Sequence, residues 1–196
     1  MKIKKICKLA VAASVLAAGS AHAALFNFTG NIQNHNDVVF INFSLNADAE
    51  NVRVWTDSFM SATNFDPITA LWRADGSLIA QNDDNATINP ATQTWFDSGF
   101  SLASLTAGDY IFSVATYNNF AAGSTLSDGF SFDGQTPIAL ADWSQPASHL
   151  GMGSYWSVWL DGVDSAGGPD TEVPVTAPLA LLGFALASLV AARRRG

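Results

Sequence analysis

Between Ala24 and Glu172 the chain has no cysteine and no lysine. Its one cysteine, Cys7, lies near the N-terminus, and all four lysines lie at or before Lys8. This central stretch therefore cannot form a disulfide, offer a thiolate nucleophile or build a cysteine metal site. Schiff-base chemistry on lysine and a lysine-dependent phosphate loop are excluded as well. Basic charge is scarce: Arg53 and Arg73 are the only arginines there, because Arg193, Arg194 and Arg195 stand at the C-terminus. All 17 acidic residues fall between Asp37 and Glu172, so two arginines against 17 acids leave this body at a formal −15, compared with −8 for the whole chain. A nucleic-acid ligand needs a basic face to neutralise phosphates, which excludes that partner class. Cations, neutral glycans and other proteins remain.

The two ends read as sorting signals. Lys2, Lys4, Lys5 and Lys8 form a basic stretch, Leu9–Ala18 an apolar one, and Ala21-His22-Ala23 a small-x-small cleavage site. That is a signal peptide over 1–23, with the mature chain starting at Ala24. Its apolar run is too short for a membrane span, which needs about 20 residues. At the other end, 173–196 holds the apolar segment Leu179–Ala192 and then the arginine cluster. Fourteen helical residues measure about 21 Å, and the arginines are expected to stay cytoplasmic. The topology implied is a body outside an inner membrane, tethered by its C-terminus.

Val173-Pro174, the apolar segment and Arg193-Arg194-Arg195 resemble the PEP-CTERM sorting tail of Gram-negative bacteria. The resemblance implies recognition by an exosortase-like processing enzyme, removal of the tail, and release or attachment at the cell surface. It also implies association with exopolysaccharide and biofilm matrix. The family's Pro-Glu-Pro is here Pro174-Val175-Thr176. The other tail class considered is cut by rhomboid-type proteases after paired glycines, for which Gly167-Gly168 would serve.

The body, 24–172, has the length of one domain. Val39, Ile41, Phe43 and Leu45 alternate with Phe40, Asn42, Ser44 and Asn46, a period-two strand. Similar runs occur at Val52–Trp55, Ile68–Trp72, Ser77–Ala80, Trp95–Leu102, Tyr110–Ala115 and Tyr155–Leu160. Ala74-Asp75-Gly76 reads as a hairpin turn. Leu105–Tyr110 has the layout of a tyrosine corner. The pattern predicts an all-β antiparallel sandwich of about eight strands, flanked by an N-terminal signal helix and a C-terminal apolar helix.

Phe65-Asp66-Pro67-Ile68, Leu71-Trp72, Asp75–Ala80, Asn82-Asp83-Asp84 and Leu105–Tyr110 resemble the bacterial prepeptidase C-terminal domain. That resemblance implies a jelly-roll-like sandwich, of a kind that in some members binds calcium or polymeric substrates. With Tyr117–Phe120 and Leu126–Phe130, the body is also similar to stand-alone exosortase-tailed proteins of unknown function.

Calcium takes six to eight oxygens, with carboxylates gathered on turns. The candidate ligands are Asp83 and Asp84 in Asn82–Asn85, Asn36 and Asp37 in Asn34–Asp37, and Asp66 at a strand start. The alternative for each Asn or Asp is a turn bonding its own backbone. For a glycan, the six tryptophans, at 55, 72, 95, 143, 156 and 159, offer a platform, with Trp143 and Trp159 the first choices. Catalysis has little support: only His35 and His149 remain in the body, and no Gly-x-Ser-x-Gly elbow occurs. The expectation is an exported, non-enzymatic cell-surface or matrix protein. The alternatives are a calcium-dependent carbohydrate-binding module and a glycan hydrolase built on paired carboxylates.

Overall fold

A computed structural model of the chain describes residues 24–145 and 151–169. The signal segment with Ala21 and Ala23, His149, and the tail with Val173, Pro174 and Arg193–Arg195 lie outside the described residues. What is described is all-β. The strands are β1 (Ala24–Asn31), β2 (Val38–Leu45), β3 (Ala49–Thr56), β4 (Pro67–Arg73), β5 (Leu78–Asn82), β6 (Gly99–Leu105), β7 (Gly108–Thr116), β8 (Tyr155–Val163) and β9 (Ser165–Gly167). Among the described residues the one helical element is a 3-10 turn at Leu126–Asp128.

The strands form two antiparallel sheets, ordered β1-β8-β3-β6 and β5-β4-β7-β2-β9. Alternation decides which faces meet. Val39, Ile41, Phe43 and Leu45 point inward from β2, opposite Val52 and Val54 of β3 and Trp156, Val158 and Leu160 of β8. Each such side chain, fully buried, contributes about 1.5–3 kcal/mol. The packing leaves no room at Gly30, where a Cβ would lie 2.7 Å from the Trp156 ring.

Parts of the outer faces are covered too. Phe130 packs with Ala70 and Trp72 outside the five-stranded sheet, against the half-buried Val38, Phe40 and Ile111. Phe40 belongs to the face expected to be mostly polar; that cover is why it stays out of water. On the other sheet Arg53 donates to Asp161, lies 5.4 Å from the Trp55 ring centroid, and reaches the Ile88 carbonyl at 3.4 Å.

Two expected local features occur. The β4–β5 hairpin turns at Gly76, whose φ of 84° suits glycine and whose N–H bonds the Arg73 carbonyl at 2.9 Å. The Tyr110 hydroxyl donates to the Thr106 carbonyl at 2.7 Å, a tyrosine corner. Two readings need correction. β1 is a full strand that the sequence pattern did not single out. The expected strand at Trp95–Leu102 begins only at Gly99, because Asp97 bonds back to Thr94 and holds 94–97 as a turn.

Candidate metal site

Asp66 sits immediately before β4, and Pro67 biases it to extended backbone. Its carbonyl accepts the Tyr117 N–H at 2.8 Å, and its backbone also faces the Gln145 side chain at 3.4 Å through both N–H and C=O. The backbone is thus held from two sides. The side chain is not: Asp66 is 2 % exposed, and its Oδ1 has no hydrogen-bond partner.

Asp83 and Asp84 follow β5 on the neighbouring strand. Their segment is clipped to the start of β6: Asn82 Nδ2 donates to the Gly99 carbonyl at 2.8 Å, and the Asn85 N–H donates to the Asp97 carbonyl at 2.8 Å. One carboxylate oxygen from each of Asp66, Asp83 and Asp84 lies within 4.8 Å of the others. Asp83 Oδ1 is also buried without a partner.

Among the described residues, no neighbouring base balances these charges. Arg53 is engaged by Asp161, and Arg73 stands at the far end of β4, about 20 Å along the strand from Pro67. Burial pushes the Asp66 carboxyl up to about 8, helped by the negative charges of Asp84, Asp83 and Asp97. Burial also raises Asp83 and, with Asp83 beside it, Asp84. Three crowded carboxylates cannot all ionise without a compensating cation; in its absence protons keep some of them neutral. The donor set is entirely oxygen, which suits a hard divalent ion.

Asp97, which no local motif marks, lies against this cluster but is already satisfied. Its Oδ1 accepts from Thr56 Oγ1 and the Ser58 and Phe59 N–H groups, and its Oδ2 from the N–H and Oγ1 of Thr94. It is a tie between loops rather than a ligand.

Asn36 and Asp37 are elsewhere. Val38 registers with Ala115 and Pro67 with Thr116, so β7 separates them from Asp66 by two strand spacings, about 10 Å. Asp37 Oδ2 accepts the N–H groups of Gln33 and Asn34 at 2.8 Å, the backbone-turn role weighed for it. Asn36 Nδ2 donates to the Gln135 carbonyl at 3.3 Å.

The chosen tryptophans present little free surface. Trp143 is half-buried, 5.3 Å from the His35 ring and 5.9 Å from that of Phe132. Trp159 is half-buried, stacked on Trp55 at 6.2 Å, with its N–H on Asp57 at 2.9 Å. Trp95 is the exposed one, at 58 %. Its ring meets those of Phe59 and Phe96 edge-on, at 5.9 and 6.4 Å. His35 is a packed core residue: Nδ1 accepts the Ile138 N–H at 3.2 Å, so Nε2 carries the proton toward Gln135 Oε1 at 3.1 Å.

No protein-family model matches this chain, and no curated protein matches it.

Proposed function

We propose that this is an exported, non-enzymatic protein of the cell surface or biofilm matrix, whose sandwich binds calcium through Asp66, Asp83 and Asp84. The observation that carries the cation is Asp66, a buried carboxylate with an oxygen that has no hydrogen-bond partner among the described residues, close to two further acids. Backbone carbonyls, second carboxylate oxygens and water would complete the six to eight ligands calcium takes. Export from a Gram-negative cell, transient tethering to the inner membrane and processing by an exosortase-like enzyme rest on the two terminal segments. The jelly-roll relationship rests on the prepeptidase-like motifs, and exopolysaccharide as a partner on the tail class.

Titration calorimetry of calcium into chelator-treated protein tests the cation. The expected result is one site that disappears in Asp66→Asn. Heat no different from dilution overturns the reading. Intact mass of the surface-located protein tests the tail: loss of Arg193–Arg195 is expected, and a full-length C-terminus means a permanent anchor instead.

A carbohydrate-binding role is the second reading, favoured by Trp95. An exposed indole held edge-on by two phenylalanines offers a fixed apolar face. Retardation of the protein in gels containing a neutral β-glucan, abolished by Trp95→Ala, is the expected result. Equal mobility with and without glucan argues against it.

A further inference from the structure

The four-stranded sheet leaves two edges open, and they match each other. Among the described residues, no strand pairs with the outer side of β1 or of β6. β1 runs antiparallel to β8, β8 to β3, and β3 to β6. With four alternating strands, the two edges necessarily run in opposite directions. A second copy moved sideways, without turning over, would bring its β1 against β6 of the first in antiparallel register.

Among the described residues neither edge carries the usual protection, the contact of Gly168 with the Phe28 ring lying on the interior side of β1. Soluble sheets blunt their edges with charge, proline, short strands or a covering segment. β1 reads Ala-Leu-Phe-Asn-Phe-Thr-Gly-Asn and β6 Gly-Phe-Ser-Leu-Ala-Ser-Leu, with no charged residue and no proline in either. The register irregularity in β1 is confined to Ala24/Phe26, and Asn82 occupies only the Gly99 carbonyl of β6.

The five-stranded sheet is protected at both edges. β9 is three residues long. β5 is overlaid by the 121–125 segment: the Leu78 N–H bonds the Ser124 carbonyl at 2.8 Å, and Gln81 Oε1 accepts the Ala121 N–H at 3.1 Å.

Side chains at the open rims tell the same story. Phe26 and Phe28 of β1, and Phe100 and Leu102 of β6, face the sandwich interior yet are only partly buried. A strand added at either edge would cover them, and the facing strand of a second copy brings the same kind of side chain to the same rim.

We propose that the protein assembles head-to-tail, β6 of one copy pairing with β1 of the next to continue the four-stranded sheet. The contact joins two different surfaces, so it does not close as a two-fold dimer; it propagates. A matrix protein with this property would itself be a polymer subunit.

Disulfide trapping in the full chain tests the pairing, in a Cys7→Ser background where introduced cysteines have no competitor. Thr29 of β1 and Ser101 and Ala103 of β6 alternate with the inward residues and point outward. Thr29→Cys combined with Ser101→Cys or with Ala103→Cys is expected to give a ladder of multimers on non-reducing gels, while each single variant stays monomeric. Dimers as abundant in the single variants overturn head-to-tail pairing, as does the absence of any ladder from either combination when the thermal midpoint is that of the parent. Sedimentation of the cysteine-free chain is the second measurement. Ser101→Lys/Ala103→Lys should convert multimers to monomers without lowering the thermal midpoint. Multimers that persist in it trace to another surface and sink the proposal.

Discussion

Asp66 and Asp97 are both buried at one end of the sandwich, at 2 % and 0 % exposure, but only Asp97 has its oxygens filled. Five donors reach Asp97, whereas Oδ1 of Asp66 has none. Burial costs an ionised carboxylate heavily unless it is bonded or paired. One aspartate is therefore a structural fixture, and the other a position that gains from a cation.

Calcium should raise the thermal midpoint of the wild type and leave Asp66→Asn unmoved. Free calcium at a hundredfold excess over its Kd adds about 2.7 kcal/mol, or about 5–10 °C for a domain of this size. In chelator Asp66→Asn should melt at or above the wild type, because it removes a carboxyl that must take up a proton to be buried. Paired scanning calorimetry checks both.

The pH dependence of the chelator-treated protein follows from the raised Asp66 carboxyl. Its value of about 8 lies above the ordinary 3.8, so the folded chain holds the proton where the unfolded chain has released it. The contribution is fully present below the unfolded value and is lost as pH rises toward the folded one. Urea midpoints should fall between about pH 4 and pH 8. Saturating calcium, which favours the ionised form, should flatten that slope. A slope equally steep in calcium and chelator would contradict the assignment.

Asp97→Ala should be far more damaging than any ligand variant. It strands the N–H groups of Ser58, Phe59 and Thr94, for an expected loss of about 3 kcal/mol or more. Chemical denaturation measures it, and calcium should not restore it.

Tyr110→Phe deletes the hydroxyl's hydrogen bonds with the Thr106 carbonyl and Thr106 Oγ1 and little else, since the ring stays stacked on Phe43 at 5.3 Å. A loss of about 1 kcal/mol is expected by the same measurement.

Higher salt should lengthen the assemblies. The body carries a formal −15, so copies repel one another, while the β1 and β6 edges carry no charge. Screening weakens the repulsion and leaves the strand pairing intact. Sedimentation profiles at low and high ionic strength should shift toward larger species in the latter.

Local signals were legible and distant ones were not. The alternation of Val39–Leu45, the turn at Gly76 and the corner at Tyr110 each depend on neighbours within a few residues. Asp66, Asp83 and Asp84 stand out by chemistry, and strand pairing brings them together. Asn36 and Asp37 looked equivalent, but one intervening strand, β7, separates them from that group. Asp97 gave no cue, because Thr56, Ser58 and Phe59 reach it from 38 to 41 residues away. β1 gives a weak signal because its inward positions are only Phe26, Phe28 and Gly30, too few apolar residues for a period-two run. Trp95 is exposed because its strand starts four residues late, which no composition could report.

The place of β8 has a further consequence, for the order of folding. This last long strand is inserted between β1, the first, and β3. Thr29 meets Ser157, and Trp55 meets Trp159, so the sheet is stitched from opposite ends of the sequence. A chain emerging N-terminus first holds β1 without a partner until Tyr155–Val163 has followed. Such long-range closure makes folding slow, and it makes arrival of the C-terminal strand the event that completes the sheet.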